Sequence, residues 1–277
     1  MADIKTLVED IYSLFDPDKP HEVNEKNLYN FTFGLGNIVR QRLAQRETKD
    51  FALRFSGLGK PDRQIWYEAH GYKKEDLLPK TYLKFLFGDM IEALLLFLAK
   101  EAGHEVTDEQ KEVEALGVLG HIDARIDGRV VDVKSASPFG FKKFEDGSLL
   151  QNDPFGYIQQ LSGYNNVLTP GEPSYFLAMD KVSADITLME LPVSVSEEFP
   201  PAERIEHLKE VISSDQIPPR CYEPVPDGKS GNMKLGTECS YCGFKESCFP
   251  EARLFLYSTG PRWLTTVARE PDVFEVK

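Results

Sequence analysis

Gly120-His-Ile-Asp123-Ala-Arg-Ile-Asp127-Gly128-Arg-Val-Val-Asp132-Val-Lys134 is the stretch on which the reading of this chain turns. Asp127-Gly128 suits the positive φ angles of a type I′ turn, so it predicts a hairpin between strands at 120–126 and 129–135. Side chains on a strand repeat every two residues, which puts Asp132 and Lys134 on one face and turns Val131 and Val133 toward a core. In a tight hairpin about this turn, Asp123 falls opposite Asp132. One face then carries two carboxylates and an ammonium. Carboxylates that close repel unless a cation lies between them, and hard oxygen donors suit Mg²⁺ or Mn²⁺ rather than zinc. A solvated hairpin face with a cross-strand salt bridge is the plainer alternative.

Upstream, helical spacing runs from about 80 to 101, and nearly every neighbour of Glu92 is apolar: Phe87, Met90, Ile91, Leu94, Leu95, Leu96, Phe97 and Leu98. A helix apolar on most sides is buried on most sides, and a buried lone carboxylate is strongly penalised. A metal shared with Asp123 and Asp132 would give Glu92 a partner; otherwise Glu92 lies with Asp89 on a narrow exposed stripe. Gly88, one turn earlier, would permit close approach to the helix. Downstream, Gln160 and Tyr164 stand at i and i+4 on one helix face, an amide and a phenol able to meet a phosphate or nucleobase. His121 reads as a packing or surface residue. Lys181, just past a strand end, is a candidate phosphate contact.

The wider chain of 277 residues carries a net charge of −13, which argues against coating nucleic acid by bulk electrostatics but leaves room for a local basic patch. Such a stretch lies at 39–63, where Arg40, Arg42, Arg46, Lys60 and Arg63 are candidates for binding DNA phosphates. No secretory pattern is visible at the N-terminus, and the most apolar stretch, 83–99, is interrupted by Gly88, Asp89 and Glu92, so no membrane span is expected. A cytoplasmic location follows (the host cytoplasm if viral). Helices are expected at 3–15, from an N-cap at Asn24 toward 45, at 157–168 and at 202–213, with further strands near 112–116, 174–179 and 186–191. The division expected is 1–79, a helical region with the basic patch; 80–215, an α-β-β-β-α-β core; and 216–277, a cysteine-bearing segment.

Three of the four cysteines crowd into Cys239-x₂-Cys242-x₅-Cys248, with Cys221 upstream. That spacing is unlike a disulfide framework, and four such thiols in a loop-rich region most often share a metal.

In this order, Gly-x-x-x-Glu ending at Glu92, Gly-x-x-Asp ending at Asp123, Asp132-x-Lys134 and Gln160-x-x-x-Tyr164 resemble the PD-(D/E)XK nucleases. The resemblance covers about residues 52–250 and is nearest the RecB-like exonuclease branch, found in phage recombination exonucleases and CRISPR-adaptation iron–sulfur nucleases. It implies an α/β, restriction-endonuclease-like core, a mixed sheet flanked by helices, with a helical N-terminal region and a cysteine-cluster C-terminal segment. It implies a Mg²⁺- or Mn²⁺-dependent deoxyribonuclease acting from a free DNA end, single strand or duplex, in recombination, repair or degradation. Glu92, Asp123, Asp132 and the Val133 carbonyl would bind the metal, Lys134 would orient or polarise the attacking water, and Gln160 and Tyr164 would complete the site. Many relatives place a metal-binding His where this chain has Glu92. The cysteine spacing resembles the C-terminal triplet of the iron–sulfur members, whose fourth ligand precedes an Arg-x-x-Trp/Tyr-Tyr segment. Here that segment is Arg63-Gln64-Ile65-Trp66-Tyr67, and Pro61 occupies the cysteine position, so Cys221 is the candidate fourth ligand. A [4Fe–4S] cluster is expected, with structural Zn²⁺ as the alternative. No groove-reading motif is visible, and a strand threaded beneath the basic residues of the N-terminal region is the expected mode. An endonuclease, a catalytically silent nucleic-acid-binding module of the same fold and a zinc-site interaction protein remain the alternatives. Oligomeric state is not readable.

Overall fold

The computed structural model describes residues 2–44 and 50–276. In chain order, helices α1 (Leu7–Ser13), α2 (Glu25–Leu43), α3 (Asp62–Ala69) and α4 (Pro79–Glu101) precede strands β1 (Val106–Thr107), β2 (Glu112–Ala115), β3 (Val118–His121), β4 (Ala124–Ile126) and β5 (Arg129–Ala136). Helices α5 (Pro138–Glu145) and α6 (Tyr157–Leu168) follow, then β6 (Ser174–Asp180), β7 (Ile186–Leu191), α7 (Val193–Glu197) and α8 (Pro201–Ser213). The chain continues through β8 (Val225–Pro226), β9 (Met233–Lys234), α9 (Thr237–Tyr241), α10 (Lys245–Cys248), β10 (Arg253–Tyr257), β11 (Gly260–Thr266) and β12 (Phe274–Val276). This is the expected mixed α/β architecture with a helical N-terminal region.

The chain packs as two units, Met1–Gly59 with Leu77–Ile205, and Lys60–Asp76 with Glu206–Lys277. The first is built on a mixed sheet in the order β1-β4-β5-β6-β7, in which β5 and β6 run parallel and the other pairs antiparallel. Strand β6, flanked on both sides, is buried at every position, as a continuous apolar run with both faces covered should be. One face of the sheet (Val131, Val133, Tyr175, Leu177, Met179) meets α1 and α4 through Leu7, Ile11, Leu95, Leu96, Leu98 and Ala99. Val131 and Val133 thus point into a core, as alternation requires.

Asn24 caps α2, its side chain accepting the N–H groups of Lys26 and Asn27. The buried Glu101 carboxylate, at the last turn of α4, takes the Asn24 N–H at 2.9 Å and the Asn27 side-chain amide at 2.7 Å, fixing where α2 starts. Asp127 and Gly128 both take positive φ, 48° and 81°, so the β4–β5 hairpin turns where the sequence placed it. The expected strand at 120–126 is instead two. Its first half, β3, pairs with β2 in a separate ribbon, and its second half, β4, joins the main sheet, the change falling at Ile122-Asp123. Helix α5 was not anticipated, although Ser137 caps it by accepting the Gly140 N–H and Pro138 opens it.

In the second unit the C-terminal strands form an antiparallel sheet, β12-β10-β11-β9-β8, within the segment from which sequence suggested only the cysteines. Trp66 and Tyr67 of α3 pack with Phe244, and Cys242 and Cys248 lie against them. The segment 60–76 therefore groups with the cysteine region, not with the N-terminal helices as the division at 79 supposed, while residues 2–44 and 50–59 group with the core. No helix among the described residues is long and apolar enough to cross a membrane.

Candidate active site

Strand β5 is the axis of the site. Asp132 is 4% exposed and Lys134 part-buried, on the sheet face opposite the α1–α4 core. The hairpin register sets Ala124 against Val131; one step further brings Asp123, just before β4, against Asp132. Asp123 Oδ2 accepts the Val133 N–H at 2.7 Å, which holds its carboxylate across the strand ends. Asp132 Oδ1 receives the Gln160 side-chain amide of α6 at 3.4 Å. Its other oxygen, Oδ2, is buried against the Lys134 ammonium.

Glu92 joins from α4. Burial chiefly, then Asp132 and Asp89, push its carboxyl up to about 7, against the opposing pull of a Gln110 hydrogen bond and Lys134. Asp123 is raised well above the usual carboxylate range by burial first, then by Asp132 and Glu92. Burial works against the Lys134 ammonium, but Asp132 and Asp123 outweigh it and hold the proton more tightly than usual. Its Nζ also lies 4.8 Å from the centroid of the Tyr157 ring. Three carboxyl groups thus crowd one ammonium, and their mutual repulsion favours protonation of Glu92 and Asp123.

Gln110 is a site residue that sequence reasoning missed. Its side-chain Nε2 lies 2.6 Å from Glu92 Oε1; it sits in the loop between β1 and β2, where no spacing rule would flag it. Tyr164 is 3% exposed, stacked on Phe55 with ring centroids 4.9 Å apart, and within electrostatic reach of Asp132 and Asp123. Its hydroxyl, pushed up to about 12 chiefly by burial, has the His121 N–H as a partner. Gly120 is explained by the same packing: a Cβ there would stand 2.6 Å from Phe55 Cβ and 2.7 Å from the Tyr164 hydroxyl. At Gly88 a Cβ would meet only Ser135 Oγ, at 3.5 Å, so the protein's own packing leaves that approach to the helix open. His121 is exposed, 3.8 Å from Glu112, in keeping with a surface role.

The described basic candidates divide between the two units. Arg42, near the end of α2, pairs with Asp89 one turn before Glu92, and Arg40 is exposed and bonded to Asn37 at 3.2 Å. Arg46 lies outside the described residues. Lys60 and Arg63 belong to the second unit, Lys60 paired with Glu68 at 3.0 Å and Arg63 bonded to the Pro218 carbonyl at 2.9 Å and to the Tyr67 hydroxyl. Lys181 is exposed just past β6, its N–H on the Ala136 carbonyl at the end of β5.

The four cysteines form no disulfide, Cys221 being exposed and the others half-buried. Burial raises each thiol; Cys239 is pushed up to about 12 by burial, then by Cys242, Cys248 and Cys221. Cations face them as well, Arg63 and Arg220 at Cys248, Lys245 and Lys74 at Cys242. Among the described residues, no three His, Cys, Asp or Glu side chains already stand as a formed metal site. What both clusters offer is a donor set: hard carboxylates in one, soft thiols in the other.

In the metal-free protein, Glu92 holds a proton more tightly folded than unfolded, where its ordinary value is 4.5. The stability this adds is complete below about 4.5 and is lost as pH rises through 7, roughly 3 kcal/mol for a shift of this size. Asp123 acts in the same direction. Chelator-treated protein is therefore expected to melt at lower temperature at pH 8 than at pH 5, and Glu92→Gln to flatten that fall. Equal slopes for wild type and Glu92→Gln would remove the electrostatic coupling inferred for this carboxylate.

No protein-family model matches the chain, and no curated protein matches it. Among solved structures it is similar to SSO0001, at 16% identity and a TM-score of 0.42 over 77% of this chain and 93% of that one. It is also similar to an alkaline exonuclease, LHK-Exo, from Laribacter hongkongensis, at 14% identity and a TM-score of 0.36 over 64% of this chain and 94% of that one. Likeness at this level says nothing about activity.

Proposed function

We propose that this chain is a metal-dependent deoxyribonuclease of the PD-(D/E)XK type, acting from DNA ends as RecB-like exonucleases do. The observation that carries the reading is the gathering of Glu92, Asp123 and Asp132 about the Lys134 ammonium. Such crowding is costly without a cation, and nothing in the fold's own architecture requires it.

Glu92, Asp123, Asp132 and the Val133 carbonyl would hold Mg²⁺ or Mn²⁺, which when bound polarises the scissile phosphate and lowers the pKa of a water. The chain's own residues do the rest. Asp132 and Asp123 keep Lys134 an ammonium, so it serves as a donor that orients water or a phosphate oxygen, not as a base. Gln160 steadies Asp132 from α6, and Val133 N–H steadies Asp123. The preference for a free end rests on the family resemblance alone. Cys221, Cys239, Cys242 and Cys248 would hold a [4Fe–4S] cluster, or Zn²⁺ in its place, as a staple for the second unit.

The test is incubation of purified protein with end-labelled linear DNA and with covalently closed circles of the same sequence, with Mg²⁺, Mn²⁺ or EDTA. Metal-dependent loss of linear DNA with circles intact is expected. Equal loss of circles would make the protein an endonuclease, and no cleavage under any condition would leave a silent module of the same fold.

A further inference from the structure

The loop between β1 and β2 holds two residues with side chains, Asp108 and Gln110, at φ of 55° and 52°. This left-handed region disfavours any residue bearing a Cβ, and glycine would be at ease in it. A non-glycine there calls for a use of its side chain.

Gln110 has one. Its backbone N–H donates to the Asp123 carbonyl at 3.1 Å, and Ile122 N–H returns a bond to the Lys111 carbonyl at 3.1 Å. The loop is thus clipped to the point where the chain passes from one sheet to the other. From that fixed base the side chain crosses to α4, placing its Nε2 2.6 Å from Glu92 Oε1. One residue therefore ties the strand end that carries Asp123 to the helix that carries Glu92. An amide donor occupies one oxygen of Glu92, limits its rotamers and leaves the other oxygen for the shared centre, as outer hydrogen-bond partners do for ligating carboxylates.

We propose that Gln110 is a positioning residue of the carboxylate site, setting the reach of Glu92 toward a divalent cation. This rests on the reading of Glu92, Asp123 and Asp132 as metal ligands. It assigns the β1–β2 loop a part in metal affinity although it contributes no ligand.

Gln110→Gly suits the backbone angle, keeps the clip to Asp123 and deletes only the side chain. Mn²⁺ binding is measured by titration calorimetry, with no DNA present, for wild type, Gln110→Gly and Gln110→Glu, beside the thermal midpoint of each metal-free protein. The expected result is an affinity about tenfold weaker in Gln110→Gly with its midpoint held or raised. Gln110→Glu, which sets a like charge against Glu92, is expected to lose more. Wild-type affinity in Gln110→Gly overturns the assignment, and so does a lowered midpoint with affinity unchanged, which would mark the side chain as structural. Should wild type itself bind no Mn²⁺, the metal reading of the site fails and takes this inference with it, an outcome separate from the other two.

Discussion

Asp132→Asn, Asp123→Asn and Lys134→Ala are each expected to lower metal-dependent hydrolysis of linear DNA by on the order of 10³-fold or more, with the protein still folded. The two failures have different causes. At the aspartates a ligand charge is lost, and with it the cation. At Lys134 the cation can remain, but the donor facing the reacting oxygens is gone. Folding should survive because the site is already a liability. Burial and mutual repulsion hold the Asp123 carboxyl toward its protonated form, so its amide mimic relieves strain, and the metal-free Asp123→Asn protein is expected to be at least as stable as wild type. Activity and Mn²⁺ binding assayed side by side separate the cases. Full activity in any of the three variants would sink the assignment of that residue.

Substitution of any one of Cys221, Cys239, Cys242 or Cys248 by Ser is expected to have its large effect on folding. Cys242 and Cys248 pack on the Trp66, Tyr67 and Phe244 cluster, and the strands near them are short, β8 and β9 having two residues each. A structural metal can contribute on the order of 10 kcal/mol, enough to decide whether such a unit folds. Anaerobically purified wild type should be brown and bleach with dithionite if it holds the iron–sulfur cluster, and each variant should lose colour and melt well below it. A colourless protein with stoichiometric zinc would choose the alternative. Neither metal, with undiminished stability in the variants, would leave the cysteines without a shared role.

How much of this could be read from sequence depends on whether the cause is local. The Asp127-Gly128 turn, the Asn24 cap and the alternation through β5 are set by neighbours a few residues away, and each stands where expected. The split at Ile122-Asp123 was not legible, because alternation continues across it and only pairing with two different partners reveals the break. Gln110 was invisible for a related reason: it reaches Glu92 over a loop whose course is set by backbone bonds to residues 122 and 123. Arg63 looked like a phosphate ligand because its surroundings in sequence are basic, but its partners, Pro218 and Tyr67, come from the fold. Helix α5 did carry a local signal, the Ser137-Pro138 pair, that was passed over.

The unit formed by 60–76 and 206–277 is assembled from two pieces of chain, one preceding and one following the strands of the main sheet in sequence. During synthesis Trp66 and Tyr67 emerge well before Phe244, and at common elongation rates the wait is on the order of ten to thirty seconds. Through that interval two large aromatic side chains have no core of their own, while the β1–β7 sheet can already close. The carboxylate site is therefore expected to form first, and the cysteine unit last. Excising 206–277 as a separate fragment would yield a piece without Trp66 and Tyr67, two of the three buried aromatic residues that pack there.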